Sequence, residues 1–308
     1  MEGWLQHLME TSPGLQKANK IERILKGFSP ELKYRVFLTD GTERLLRVSE
    51  KSAWEQKKAE YAILQTLQSM DVKASRPIEL GVLDESSQCY MLLTYLAGED
   101  AKDALIQLTE GEQYEIGREA GKELATMHTI SAHPSVPDWY ERCIQKHNRY
   151  VAAYKDCGYQ IPYAERILLF IEKNMFCLKD TPNRFLHDDF HVGNLIVHER
   201  KYAGAIDFNR FDWGDPAHDF TKLAFFSREI SIPYSIGQLV GYDERTGGLS
   251  ESFWIRYCVY TAMAMFSSVV WTIQNVPDQI KGMLERIERI SHDHDYFERL
   301  TPAWYHGD

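Results

Sequence analysis

Residues 187–194 read His-Asp-Asp-Phe-His-Val-Gly-Asn. The pattern H-x-D-x-x-x-x-N sets an amide five residues after a carboxylate, the spacing of a loop that serves phosphoryl transfer. That reaction needs a carboxylate to orient an attacking hydroxyl and accept its proton, and a hard oxygen donor to hold magnesium. Asp189 suits the first task and the side-chain carbonyl of Asn194 the second. Further on, Ile206-Asp207-Phe208 places another Asp at the end of a short apolar run, where Asp207 could share the cation with Asn194. The bland alternative is a polar loop whose Asp and His residues only turn the chain. Either half alone would be weak. Together, joined by an apolar hairpin, they favour chemistry.

Two kinds of element must position these residues. Lys33–Ser49 contains two β-rich runs joined by Asp40-Gly41, a hairpin signal. A helix is predicted over Trp54–Leu67, then strands over Ile78–Leu83 and Tyr90–Tyr95 about a turn at Asp84–Gln88. The stretch up to about Lys20 reads as helical. Beyond Gly98 the pattern turns helical, with segments over Gly111–Ile130, Trp139–Tyr154, Tyr163–Leu178, Ser250–Gln274 and Pro277–His292. The expectation is an α+β chain of two lobes: residues 1–96 a small β-rich lobe that binds nucleotide, residues 97–308 a larger helical lobe with the catalytic loop and the substrate pocket.

Taken together, HDDFHVGNLIV and GAIDFNRFDWGDPAHDF resemble the signature of the aminoglycoside phosphotransferase family, small-molecule kinases with a protein-kinase-like fold. The family's usual pattern is H-G-D-x-H-x-x-N, followed by I-D-[FW] and a later G-D-x-x-x-D. The resemblance is specific over residues 184–220 and looser elsewhere. It implies that Asp189 is the catalytic base and that Asn194 and Asp207 ligate magnesium. Asp219 matches an Asp that braces the catalytic loop, and His187 and His191 match its structural histidines. In the small lobe Arg47 matches the strand position of the phosphate-contacting Lys, and Glu60 the helix Glu that pairs with it. Arg in place of Lys is a departure, since its fork binds bidentately. Thr94 and Leu96 fall where backbone groups would hold adenine. The nucleotide loop, Lys26-Gly27-Phe28-Ser29-Pro30, is poor in glycine. The family's usual Gly before the catalytic Asp is Asp188 here. Two adjacent carboxylates resist joint ionisation if both face one site, so Asp188 is expected to point away or, second, to meet a cationic substrate.

No segment after Asp207 is long enough to seat a peptide before Asp215-Pro216, which points to a small-molecule acceptor. Charge bears on its class. Residues 1–96 carry 13 basic and 13 acidic side chains, so the net charge of −10 belongs to the remainder. That balance gives no basic surface for nucleic acid. It favours an amine-bearing acceptor such as an aminoglycoside, with Asp212 and Trp213 as the nearest contacts. Another metabolite or antibiotic (macrolide, choline, homoserine, sugar) is the alternative, and a catalytically silent nucleotide-binding regulator a third reading. The resemblance implies ATP, or GTP, with Mg2+ as cofactor, and antibiotic resistance as a role. Five scattered cysteines without a CxxC pair, and no signal peptide or long apolar span, point to a cytoplasmic protein, with a monomer as the default.

Overall fold

The computed structural model describes residues 3–25, 30–83 and 87–306. Lys26–Ser29 of the expected nucleotide loop and residues 84–86 of the expected turn lie outside them. The chain forms two compact units, Met1–Gly98 with Ala203–Asn209, and Glu99–Tyr202 with Arg210–Asp308.

In the smaller unit, α1 (Gly3–Thr11) precedes β1 (Ala18–Ile24), β2 (Leu32–Leu38), β3 (Glu43–Glu50), α2 (Trp54–Ser69), β4 (Pro77–Leu83) and β5 (Gln88–Thr94). The strands make one antiparallel sheet in the order β1-β2-β3-β5-β4. At the β2–β3 turn, Gly41 has a φ of +82°, and Asp40 accepts from the Thr42 amide at 3.0 Å. Alternation along β3 sends Leu46 and Val48 into a core with Leu5, Leu8, Tyr34 and Val36. It turns Arg47 to the other face, where α2 supplies Glu60. The helix expected up to Lys20 stops at Thr11, ahead of Pro13, and the segment after it is the edge strand β1. β1 escapes sequence reading because it is largely exposed and polar.

Residues 203–209 fold with this unit, not with the helical one to which the sequence boundary assigned them. The Ala205 amide donates to the Lys73 carbonyl at 2.9 Å, and Ala74 and Ala205 form a parallel bridge. A side chain at Gly204, whose φ is +148°, would strike that Lys73 carbonyl. Glycine there lets the two backbones meet and so fixes the approach to Asp207.

The larger unit runs β6 (Glu99–Asp100), α3 (Ala101–Ala104), α4 (Glu110–Met127), α5 (Trp139–Lys155), α6 (Ala164–Asn174), β7 (Arg184–Leu186), β8 (Leu195–His198), β9 (Lys201–Ala205, whose end enters the smaller unit), β10 (Asp212–Gly214), α7 (Ile232–Thr246), α8 (Glu251–Asn275) and α9 (Ile280–Asp293). Thr109 and Glu112 cap α4 reciprocally. By length and composition α8 could cross a membrane, but 72% of its apolar window is buried within the protein, with Tyr257, Tyr260 and Phe266 in the core. Sequence reading gives no helix at α7. Its Gly237 and Gly241 lower its own propensity, and its stability comes from lying against α4 at glycine-limited distance.

Candidate active site

The loop between β7 and β8 carries His187, Asp188, Asp189, His191 and Asn194. Asp219 ties it down. Its Oδ2 accepts from the His187 amide and its Oδ1 from the Asp188 amide, both at 2.8 Å. Asp219 itself is buried and lies 3.1 Å from His128 Nε2. His187, fully buried, accepts from the Asp189 amide at 3.3 Å and packs edge-on against Phe190. His191 Nδ1 accepts from the Gly193 amide at 3.0 Å. Nearly every inward polar atom of the loop thus has a task in holding its shape.

The Asp189 carboxylate sits among donors. Lys222 Nζ is 3.1 Å from Oδ1, His191 Nε2 is 3.6 Å from the same oxygen, and Asn194 Nδ2 donates to Oδ2 at 3.0 Å. Burial pushes its carboxyl up, but the nearby His191 ring and the Lys222 charge outweigh that and hold it well below the usual carboxylate range. Asp189 is therefore an anion throughout the neutral range. Asn194 Nδ2 also donates to the Asp189 carbonyl at 3.0 Å. With its amide nitrogen spent, Asn194 offers its carbonyl oxygen, the atom a hard cation takes.

In the smaller unit Asp207 has a φ of 68°, a left-handed conformation in which Asp is tolerated. Its Oδ1 is buried with no hydrogen-bond partner, while Oδ2 lies 4.0 Å from Lys33. A buried carboxylate oxygen left unsatisfied is costly unless a cation meets it, so Asp207 and the Asn194 carbonyl each fit a magnesium ligand. Arg47 and Lys57 form a buried cluster with Glu31 and Glu60. Arg47 donates to Glu60 and, at 2.8 and 2.6 Å, to Glu31; Lys57 reaches both carboxylates, at 2.7 Å for Glu60. Burial pushes Glu31 up, but Arg47 and Lys57 bring it down to about 2. Arg47 is 4% exposed and committed to two carboxylates. Lys33, directly across the β2–β3 ladder from Arg47, is the less committed cation on that face. Arg47→Met is expected to leave two buried carboxylates to Lys57 alone. That costs roughly 3–5 kcal/mol of stability and raises the nucleotide KM more than the acceptor KM. Thermal melts and paired kinetics check it, and unchanged values for both would remove Arg47 from any phosphate role. The Thr94 amide already donates to Arg76 at 2.9 Å, which leaves its carbonyl as the group that base recognition would need.

A sequence model of the phosphotransferase enzyme family matches residues 20–252. The chain belongs to this phosphotransferase family. Solved structures share the fold of this phosphotransferase. Aminoglycoside phosphotransferase APH(4)-Ia aligns with a TM-score of 0.70 at 13% identity, covering 93% of this chain and 96% of that one. ADP-bound APH(2'')-Ib aligns at 0.65 and 16%, covering 94% and 99%. The gentamicin complex of APH(2")-IIa aligns at 0.64 and 15%, covering 94% and 96%. A search of curated proteins by sequence returned no match.

The structure gives each of the three expected acceptor contacts of the phosphotransferase a partner within the protein. The Oδ1 of Asp188 lies 3.2 Å from His218 Nδ1. Burial pushes Asp188 up, but the adjacent His218 ring and the fields of Lys222 and Lys146 bring it down to about 2. Adjacent carboxylates at 188 and 189 therefore ionise together, because cations from other elements offset their repulsion. With φ at 59°, Asp188 keeps the left-handed backbone that glycine would give. Asp212 is not a free anion, since Arg142 Nη1 lies 2.9 and 3.1 Å from its two oxygens. The Trp213 ring packs edge-on to Phe185 and Phe211, and its carbonyl accepts from Arg142. Sequence reading missed Lys222, Lys33, His218 and Lys146. None lies at a motif position, and only packing brings them to the loop or the sheet face.

Proposed function

We propose that this phosphotransferase is a magnesium-dependent kinase that moves the γ-phosphoryl group of ATP, or GTP as alternative, to a hydroxyl of a small molecule. The observation that carries it is Asp189, held anionic by Lys222, His191 and Asn194 on a loop braced by Asp219. Asp189 orients the acceptor hydroxyl and takes its proton. The ligands of magnesium are Asn194 and Asp207; when bound, the ion neutralises phosphate charge. Arg47, paired with Glu60, and Lys33 supply positive charge toward the nucleotide from the smaller unit, and Thr94 and Leu96 hold the base. His187, His191 and Asp219 keep the loop in shape. The protein acts as a cytoplasmic monomer.

Two acceptor readings have support. Aminoglycoside-like acceptors, and with them a resistance role, are favoured by the relatives of this fold, one of which was solved with gentamicin. Another hydroxylated metabolite is favoured by Arg142 and Lys146 in the cleft beside the loop. The test is a coupled ADP- and GDP-release assay over a panel of both classes. Mg2+ with nucleotide is expected to raise the melting temperature, and EDTA to abolish transfer. A parent protein as inactive as Asp189→Asn on every acceptor would instead favour a silent regulator.

A further inference from the structure

Within the larger unit, α5 and α8 line an open cleft of about 90 Å³. Trp139, Tyr150, Tyr260 and Met263 give it apolar and aromatic walls. Those walls are fixed. Trp139 Nε1 donates to the Tyr260 hydroxyl at 2.9 Å, and that hydroxyl donates to buried Asp215 at 3.0 Å. His218, wedged edge-on between Trp139 and Tyr260, lines the cleft and touches Asp188 of the catalytic loop, so the cleft opens beside the chemistry.

Its charge is the opposite of what a polyamine needs. Arg142 and Lys146 line it, one helical turn apart on α5, against one carboxylate, Asp212. Arg142 already neutralises Asp212. Lys146 makes no hydrogen bond or ion pair among the described residues. A third group awaits a partner: His147 is 8% exposed, lines the cleft, and its Nδ1 has no hydrogen-bond partner. Burial pushes its imidazole down, so it stays neutral and bonds without adding charge. The lining thus offers one cation held in no ion pair, Lys146, whose field also reaches Asp188, and an unpartnered ring nitrogen.

We infer that the acceptor of this cleft is a hydroxylated small molecule bearing a single carboxylate, which Lys146 meets, with its carbon skeleton against Trp139 and Tyr260. The assignment rests on the kinase reading for calling that molecule an acceptor. One cation free of any ion pair suits a monoanion better than a phosphate dianion or a polycation, for which like charges would be set against one another.

Three probes share an aromatic body and an alcohol: 3-phenyllactate, its neutral amide, and the cationic amino alcohol phenylalaninol. Their binding to the full chain is followed by ligand-observed NMR titration, with and without Mg2+ and a non-hydrolysable ATP analogue. Phenyllactate is expected to bind roughly three- to tenfold more tightly than its amide, and phenylalaninol more weakly than either. Lys146→Glu is expected to reverse the order of acid and amine, and Lys146→Gln to remove the preference. Equal or tighter binding of phenylalaninol to the parent, an order unaltered by Lys146→Glu, or no saturable binding of the acid would each overturn the inference. Failure of the kinase reading would show separately, as no response to Mg2+ with nucleotide while the acid still binds.

Discussion

Asp189→Asn is expected to lower kcat by about 10²- to 10⁴-fold, the usual worth of a positioned general base, with little change in nucleotide affinity. The substitution is nearly isosteric. An amide oxygen still accepts from Asn194, which donates to Oδ2 and to the Asp189 carbonyl in the parent, so the loop keeps its shape. The negative charge that faces Lys222 at 3.1 Å is lost, and with it the group proposed to take the proton of the acceptor. Stopped assays of ADP release with a competent acceptor, alongside melting curves with Mg2+ and nucleotide, separate chemistry from binding. A variant with parental kcat would remove Asp189 from the reaction. Lys222→Met is expected to lower kcat by a smaller factor, because it leaves the carboxylate in place but takes away its nearest cation.

Gly241→Ala is expected to destabilise the larger unit by roughly 3 kcal/mol or more, in the range of overpacked cores. Glycine inside a helix ordinarily costs about 1 kcal/mol against alanine, so the expected sign is the reverse of the usual one. The reason is the crossing of α4 and α7. A Cβ on Gly241 would collide with the Arg118 carbonyl oxygen, one on Gly237 with the Tyr114 carbonyl, one on Gly121 with that of Gln238 and one on Gly117 with that of Tyr234. Each helix presents a pair of glycines four residues apart to the backbone of the other, and backbone has no rotamer with which to yield. Gly282 on α9 is the control: nothing lies within 4 Å of its added Cβ, and Gly282→Ala is expected to stabilise by up to about 1 kcal/mol. At roughly 2–4 °C per kcal/mol, the two alanines should move the melting temperature in opposite directions. A Gly241→Ala protein as stable as the parent would mean that the helices part at little cost. The crossing also matters to the loop, since His128 at the end of α4 touches both Tyr242 of α7 and Asp219.

The loop at 187–194 was legible because Asp189, Asn194 and Asp207 stand at short, fixed separations, and a tight loop converts such spacing directly into shape. The β2–β3 hairpin was legible for the same reason: Asp40-Gly41 specifies its turn locally. The family followed from those residues, and its fold from the family. Tertiary structure alone decided the rest. Lys222 meets Asp189 from 33 residues away, and Glu31 joins Arg47 and Lys57 across a sheet and a helix, through contacts that no local periodicity encodes. β1 and α7 lacked clear patterns because one is an exposed edge and the other is held by its neighbour. Charge shows the difference most sharply. The sequence reports that the helical region is acidic overall. Which charges meet which is set by packing, and packing spends Asp212 on Arg142 and leaves Lys146 facing the cleft. Sequence determined the family and with it the phosphotransferase class; three-dimensional placement decides which charges line the cleft beside the loop.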